Sequence, residues 1–180
     1  MLKKSFYLGL VTASLLLASF RCSAEIYQTN EHFLQSILGP NAKMVQTLWI
    51  TKPIAETAEK ILGHSVKRYT QKYWRDTDKN EGAKTVWILD EIGKEEPITA
   101  GFVVLNGKII SVTVLAYQES RGNEVRYPNF LNQYQGVGLK ANNQLDQNID
   151  GISGATLSVR AMGKMARLAL YYDGLLKTEH

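Results

Sequence analysis

Residues 98–117, which read ITAGFVVLNGKIISVTVLAY, predict a β-hairpin and decide the fold class. The two halves, 98–105 and 108–117, are rich in β-branched and other apolar residues, which favour strands. Between them stands Asn106-Gly107, the dipeptide that most favours a two-residue hairpin turn. We therefore expect an antiparallel sheet in the middle of the chain.

The sequence around the hairpin places helices on both sides of the sheet. Gly39-Pro40 and Gly63 end two short segments, and apolar residues at helical spacing fill the C-terminal segment. The predicted helices cover residues 31–38, 51–62, 127–135 and 157–176, further strands cover 43–50, 66–74 and 85–89, and a polar loop covers 136–151. The order of helix, sheet and helix predicts an α+β fold, an antiparallel sheet flanked by helices.

The composition limits the chain to one globular domain with at most a small appendage. It has 180 residues, of which 44% are hydrophobic and 21% charged, which excludes general disorder. Of its 21 basic residues, three lie in the first 24 positions, which contain no acid, so the remaining chain has 18 basic against 17 acidic residues. A nucleic-acid-binding domain is usually strongly basic, so we expect no nucleic-acid partner.

Residues 1–24 have the pattern of a secretory signal peptide. Lys3-Lys4 precedes an apolar stretch at 6–20, and the small residues Cys22-Ser23-Ala24 close the segment. The apolar stretch is short for a membrane-spanning helix. We expect cleavage after Ala24, a periplasmic mature protein and no stable membrane insertion; an uncleaved anchor and a lipid on Cys22 are the alternatives. Cleavage removes the one cysteine, so we expect no disulfide and no thiolate metal site.

The acidic segment at 76–82 resembles the start of a calcium-binding loop but lacks two of its requirements. Glu81 stands where the sharp turn needs glycine, and Trp87 stands where the last acidic ligand belongs. The segment therefore predicts a hairpin turn. The three histidines, at positions 32, 64 and 180, are far apart in sequence and favour surface positions, so we expect no metal site.

The segment DGISGAT at residues 150–156 stands directly before the predicted C-terminal helix. Its two glycines allow a tight turn, and Ala155 adds little bulk. Thr156 then lies at the start of a helix, where free backbone N–H groups and the helix dipole favour an anion such as phosphate. The alternative is an ordinary helix cap, formed by the hydroxyl group of Ser153, Thr156 or Ser158.

This segment resembles the flavinylation motif of FMN-binding domains. Such domains occur in the peripheral flavoprotein subunits of sodium-pumping NADH:quinone reductases and Rnf-type complexes, and in small exported flavoproteins. The resemblance continues upstream through residues 90–94, 98–104 and 107–110, and it covers roughly 85–170 in all. At 119–122 the chain has Glu-Ser-Arg-Gly, where larger members have Glu-Thr-Pro-Gly.

The resemblance implies an FMN-binding domain at residues 76–180, with 25–75 as a helical and strand segment packed on it. It implies FMN as the cofactor, joined through its phosphate to the Thr156 hydroxyl. A separate FAD:protein FMN transferase, which uses a divalent metal, would make this bond and release AMP. The residues that would form the cofactor site are Asp150, Gly151, Ser153, Gly154, Ala155, Thr156, Leu157 and Glu119. Asp150 and Ser153 would be read by the transferase or hold the turn.

The implied function is that of an electron carrier between a membrane donor and a periplasmic redox partner. The sequence has no nicotinamide site, haem motif or iron–sulfur cysteines, and no positioned acid–base pair, so we assign no catalytic residue. A small flavin-dependent reductase with its own substrate is one alternative. A binding module without redox chemistry is another.

Several basic and aromatic side chains have positions compatible with flavin or partner contact. The cations are Arg121, Arg126, Lys140 and Arg160, and the aromatic residues are Tyr117, Tyr127 and Tyr134. Arg160, Lys164 and Arg167 share a helical face that would suit an acidic partner. For each cation the alternative is a solvated side chain, and for each tyrosine a core or hydrogen-bonded position.

Overall fold

The computed structural model describes residues 25–78 and 82–177. The expected signal peptide at 1–24, residues 79–81 of the acidic segment, and residues 178–180 lie outside the described residues. Within the described part of the chain, no helix is both long and apolar enough to cross a bilayer.

Six strands of the described chain form one antiparallel sheet. They are β1 Glu25–Ile26, β2 Val45–Trp49, β3 Thr70–Asp78, β4 Gly82–Ile92, β5 Pro97–Leu105 and β6 Lys108–Tyr117. Their order across the sheet is β1-β6-β5-β4-β3-β2, so β1 and β2 form its edges. Each neighbouring pair runs antiparallel. From β2 to β6, strands that follow one another in sequence are also neighbours in the sheet.

Four α-helices accompany the sheet in the described residues. They are α1 Asn30–Leu38, α2 Lys52–Leu62, α3 Pro128–Leu131 and α4 Thr156–Leu175. Short 3-10 helices lie at Gly39–Lys43, Asn123–Arg126 and Asn132–Tyr134. The predicted α+β fold is confirmed. The C-terminal helix was expected at 157–176, and α4 begins one residue earlier, at Thr156, the last residue of the DGISGAT segment.

The turn between β5 and β6 has the backbone that its sequence predicts. Asn106 and Gly107 have φ angles of 53° and 78°, and both central residues of a type I′ turn need positive φ. Leu105 pairs with Lys108 directly beyond the turn. Because the register of a hairpin is set at its turn, this dipeptide also fixes which face each residue of the two strands occupies.

The two faces of the sheet are covered by different helices. Helix α4 lies on one face, where Met162, Met165 and other buried residues of the helix join a cluster with Trp87 and Phe102. Helix α1 lies on the opposite face, where its buried apolar residues join a cluster with Val86, Val103 and Leu115. Trp87 and Val86 belong to different clusters because successive side chains of a strand point to opposite faces.

The segment before the implied FMN-binding domain shares the same sheet. Residues 25–75 supply both edge strands, and the expected boundary between residues 75 and 76 falls inside β3. The predicted strand at 66–74 begins only at Thr70, so residues 64–69 form an irregular loop after α2.

Candidate functional site

The start of α4 is the first part of the site. Its N-cap residue is Ala155, and among the described residues no side chain forms a capping hydrogen bond there. The predicted alternative of a hydroxyl cap is therefore wrong. The first backbone N–H groups of α4 remain donors, and the helix dipole adds partial positive charge at the same place.

The residues before α4 turn the chain so that Thr156 begins the helix at the surface. Gly154 has a φ of 81°, which residues with a side chain rarely adopt, and Thr156 is exposed. Ala155 between them is buried, with 3% of its surface exposed. A side chain at Gly122 would lie 3.2 Å from the Ala155 methyl group, so the small residue at 155 fits beneath the loop that follows β6.

A cavity of about 610 Å³ opens beside Thr156. Its walls come from three places: residues 154–158 at the start of α4, Lys94 and Glu95 in the turn after β4, and residues 119–121 after β6. The turn after β4 and the loop after β6 lie close together because of the antiparallel register: Ile98 at the start of β5 pairs with Tyr117 at the end of β6. The volume lies within the roughly 300–1,000 Å³ of ordinary ligand pockets.

Glu119 fixes the turn that forms one wall of this cavity. One carboxylate oxygen, Oε1, accepts hydrogen bonds from three successive backbone N–H groups, those of Lys94, Glu95 at 2.7 Å and Glu96 at 3.0 Å. Burial alone raises the pKa of Glu119, but these donors together with the Lys94 charge outweigh it and lower the pKa below its usual value. A side chain at Gly93 would lie 2.7 Å from the same oxygen, so the turn needs glycine there.

Tyr117 and Ser158 tie the loop after β6 to α4. The Tyr117 hydroxyl donates to the carbonyl of Arg121 and lies 3.0 Å from the Ser158 hydroxyl oxygen. Both side chains are buried, and burial raises the pKa of Tyr117. Gly122 follows with a φ of 85°, and any side chain there would lie within 3.0 Å of these two hydroxyl groups. The cavity therefore has walls held by hydrogen bonds on two sides.

Comparison with known families assigns the segment that contains these walls. Residues 93–171, from the turn after β4 into the last third of α4, match the model of the FMN-binding domain family. The match assigns this segment to an FMN-binding domain, and such a domain indicates a flavin-binding protein. No curated protein matches the chain.

The residues around the cavity of the FMN-binding domain fit the chemistry of FMN. The uncapped start of α4 offers backbone donors for a phosphate, and the exposed Thr156 hydroxyl lies beside them. Lys94 and Arg121 line the same cavity and carry positive charge toward a phosphate or a reduced flavin. Glu119 is the acid that lines the cavity from the loop after β6. Its carboxylate already accepts hydrogen bonds from the backbone of the turn after β4.

Only some of the residues that were expected to bind the cofactor line this cavity. Glu119, Gly154, Ala155, Thr156 and Leu157 line it, whereas Asp150, Gly151 and Ser153 are not among the described residues of its wall. The Asp150 backbone N–H donates to the Gln133 side-chain oxygen at 2.6 Å, which anchors the start of the motif to the 3-10 helix Asn132–Tyr134.

Of the basic and aromatic residues proposed for flavin contact, only Arg121 lines the cavity. Arg126 instead lies over the ring of Tyr27, at 4.3 Å from the centroid. Lys140 and Arg160 are absent from the described cavity wall. Tyr127 lies beside Arg126 at 5.2 Å, away from that wall.

Tyr117 and Tyr134 take the core and hydrogen-bonded positions that were the alternatives to ring stacking. Tyr117 is held by the Arg121 carbonyl and Ser158, and 2% of its surface is exposed. Tyr134 has no exposed surface and packs edge-on against Phe130, with ring centroids 5.7 Å apart. Neither ring has a free face for a flavin.

The helical face of Arg160, Lys164 and Arg167 does not form the basic docking patch considered from the sequence. Lys164 Nζ lies 2.8 Å from a carboxylate oxygen of Glu91, and an Arg167 N–H group donates to the Ile61 carbonyl at 2.9 Å. Two of the three charges therefore serve contacts within the fold. Among the described residues, no group of three His, Cys, Asp or Glu side chains is placed to hold a metal ion.

Sequence reasoning missed the turn that contains Lys94 and Glu95 as part of the site. These two residues precede Thr156 by 62 and 61 positions, and although Lys94 ends the stretch 90–94 that resembles the family, neither residue was expected at the site. Only the sheet register shows that the turn after β4 faces the start of α4. Ser158 was considered as a helix cap, and its role in holding the Tyr117 loop had no sequence signal.

Proposed function

We propose that the protein is an exported, periplasmic electron carrier that holds FMN through a phosphoester bond to Thr156. The observation that carries this proposal is the uncapped start of α4, where Thr156 is the first helical residue and opens onto the 610 Å³ cavity. The match of residues 93–171 to the FMN-binding domain supports the identity of the cofactor.

Attachment would transfer FMN from FAD to the Thr156 hydroxyl. A new bond forms between Thr156 Oγ and the phosphorus of the FMN half. The bond from that phosphorus to the oxygen bridging the two phosphates breaks, and AMP leaves with that oxygen. The hydroxyl proton passes to a base of the FAD:protein FMN transferase, and no electrons are exchanged. The exposure of Thr156 and the small residues before it are compatible with entry into a second enzyme.

The residues of this chain would hold and orient the bound cofactor. Backbone N–H groups at the start of α4 would donate to the phosphate, and the positive φ of Gly154 would direct Thr156 toward it. Arg121 and Lys94 supply positive charge along the cavity. The flavin, when bound, supplies the one- or two-electron redox chemistry.

The cavity favours a carrier over a reductase with its own substrate, because Glu119, Tyr117 and Ser158 already form hydrogen bonds within the fold. Glu119 accepts three backbone N–H groups, so it is not poised to take a proton from a substrate. The Tyr117 hydroxyl donates to the Arg121 carbonyl and lies within hydrogen-bond distance of the Ser158 hydroxyl. Electrons would then pass between a membrane donor and a periplasmic redox partner, and the signal-peptide pattern of residues 1–24 supports export.

Replacement of Thr156 tests the attachment. Thr156→Ala should abolish flavin that survives denaturation and gel filtration, while the free energy of unfolding stays within about 1 kcal/mol, because Thr156 caps nothing and alanine suits a helix. Thr156→Ser keeps a hydroxyl and should retain partial flavinylation. Co-expression with the transferase and export of the protein are the required conditions.

Ser153→Ala is the matched control, because Ser153 is another exposed hydroxyl of the same motif. It should retain some flavin, in contrast to Thr156→Ala, and peptide mapping of the wild type should place the added mass on Thr156. Covalent FMN on Ser153 or Ser158 would contradict the residue assignment. No covalent flavin on any residue would contradict the carrier proposal.

A further inference from the structure

A second cavity, of about 380 Å³, lies between the loop that follows α2, the facing ends of β3 and β4, and α4. It shares none of its lining residues with the 610 Å³ cavity beside Thr156, which we call the flavin cavity after its proposed ligand, although β4 ends between the two. We propose that this second cavity binds a small carboxylic acid whose body is an apolar chain. The proposal is independent of the flavin attachment.

The inner surface of the second cavity is apolar and built from rigid elements. Leu62 at the end of α2, Leu89 on β4, and Leu168 on α4 line it, and all three belong to the main hydrophobic cluster. Val66 on the loop closes one side and packs against that cluster. A hydrocarbon chain placed here removes its own surface and that of the leucines from water, which favours binding.

The one buried acid of the second cavity is neutralised within the fold. Glu91 is 5% exposed, and its carboxylate lies 2.9 Å from His64 Nε2 and 2.8 Å from Lys164 Nζ. Because the positive charge of Lys164 already compensates the Glu91 carboxylate, Glu91 does not favour a cationic ligand in this cavity. A ligand ammonium group would have to displace Lys164 from a buried ion pair.

The rim of the second cavity carries hydrogen-bond donors. Arg68 and Lys67 line it from the loop, and in the described chain no ion pair engages Lys67. Tyr172 lines it from α4. Burial raises the pKa of Tyr172 to about 12, the nearby Arg68 charge partly opposes this, and the phenol stays a donor at neutral pH. Donors around an apolar floor favour a ligand that ends in a carboxylate.

The present partner of Arg68 does not block this use. An Arg68 N–H group lies 3.0 Å from Asp90 Oδ2, and the two side chains are 66% and 38% exposed, so the pair is weak and open to water. The other oxygen of Asp90 accepts the Thr99 hydroxyl at 2.8 Å. Asp90 therefore keeps a partner when a ligand carboxylate takes up the guanidinium group.

Octanoate, titrated into the exported protein and followed by calorimetry, tests the proposal. We expect saturable binding of octanoate, weaker binding of octan-1-ol, which lacks the charge, and no binding of acetate, which lacks the chain. Octylamine should not bind. Equal binding of octylamine and octanoate, or no binding of octanoate at millimolar concentration, overturns the proposal.

Two variants and one control assign the binding to this cavity. Arg68→Gln should weaken octanoate binding at least about tenfold, the scale of one charge-assisted hydrogen bond. Lys72→Gln removes an exposed charge from β3 outside the second cavity and should leave binding unchanged. Val66→Trp fills the cavity from its loop and should also weaken binding, which covers the case that Arg68→Gln does not fold.

Thr156→Ala separates this proposal from the flavin proposal. Octanoate should bind Thr156→Ala as it binds the wild type, whatever the state of flavinylation, because Thr156 lies in the other cavity. Octanoate binding that is lost in Thr156→Ala but unchanged in Arg68→Gln would place the ligand in the flavin cavity and overturn the second site.

Discussion

Two groups of backbone N–H donors face the flavin cavity, one in the turn after β4 and one at the start of α4. In the turn, three successive N–H groups converge on one oxygen of Glu119. At the start of α4, no described side chain forms a capping hydrogen bond. Both arrangements suit an anion. The turn contains its own anion and belongs to the scaffold, whereas the donors of the helix have no side-chain acceptor among the described residues.

The difference shows how one cavity combines a fixed wall with an open binding end. Glu119 lies on the loop after β6, so its contact with the turn after β4 also fixes the spacing between two cavity walls. The start of α4 is held indirectly, through Ser158 and Tyr117. Substitutions on the two sides should therefore have separable effects on stability and on flavin loading.

Removal of the built-in anion should have the largest effect on stability. Glu119→Ala leaves three N–H groups of the turn without their acceptor, and water replaces it only in part. We expect the free energy of unfolding to fall by about 1–3 kcal/mol. Urea denaturation measures this, and a lower fluorescence anisotropy of the bound flavin would report the loosened wall.

Glu95→Ala is the control for this change. Glu95 is an acid of the same turn, but its side chain is 70% exposed and pairs only with the exposed Lys94. Its removal should change stability by less than about 0.5 kcal/mol. Equal losses in Glu119→Ala and Glu95→Ala would show that the turn needs negative charge in general and not the Glu119 contact.

A smaller stability loss with a strong effect on flavin loading is expected on the helix side. Gly154→Ala places a side chain on a residue with a φ of 81°, where the left-handed backbone costs an L-residue about 1–2 kcal/mol. The strain would turn Thr156 away from its position, so the flavin-to-protein ratio in the visible spectrum should fall severalfold.

Gly151→Ala is the matched control for Gly154→Ala. Gly151 does not have a positive φ, and a side chain built there meets no atom within 4 Å. Stability and flavin loading should remain close to the wild type. Equal loss of flavin in both variants would mean that the transferase reads the two glycines directly, and that backbone strain is not the cause.

The sequence predicted most helices and strands because their signals are local, although it did not predict the edge strand β1. Asn106-Gly107 suits a turn that needs positive φ at both residues. The spacing of apolar residues after Thr156 indicates a helix, whatever that segment packs against. The site was predicted only along the motif. The contact between Glu119 and the Glu96 backbone joins residues 23 positions apart, and it depends on the pairing of β5 with β6.

Residue type alone also could not separate cavity-lining side chains from core side chains. Tyr134 and Tyr127 are the same residue type close together in sequence, yet one has no exposed surface and the other is 45% exposed. Likewise Lys164 looked like a surface charge on a helix, but it faces the buried Glu91 of β4. Both assignments require knowledge of which helix face meets the sheet.

The link between α4 and the loop after β6 should contribute less than the Glu119 contact. Ser158→Ala removes the hydroxyl group 3.0 Å from the Tyr117 hydroxyl, and we expect a loss of about 0.5–1.5 kcal/mol. Tyr117→Phe removes the other partner. In a double-mutant cycle the two losses should not add, and strict additivity would show that the two hydroxyl groups contribute independently.

The pH dependence of stability should reveal the smallest of these effects. Because the folded state lowers the pKa of Glu119, its ionised form stabilises the fold above the unfolded pKa of about 4.3, and this contribution disappears as pH falls through the lower folded pKa. Glu119→Gln should therefore be less stable than the wild type at pH 7, and the difference should narrow below about pH 4.

Asp146 is the control, because its pKa is also lowered, by its hydrogen bond with Lys108, but it lies outside the cavity wall. Asp146→Asn should show the same narrowing without a change in flavin anisotropy, whereas a stability difference for Glu119→Gln that stays constant from pH 7 to pH 3 would contradict the role given to the Glu119 charge.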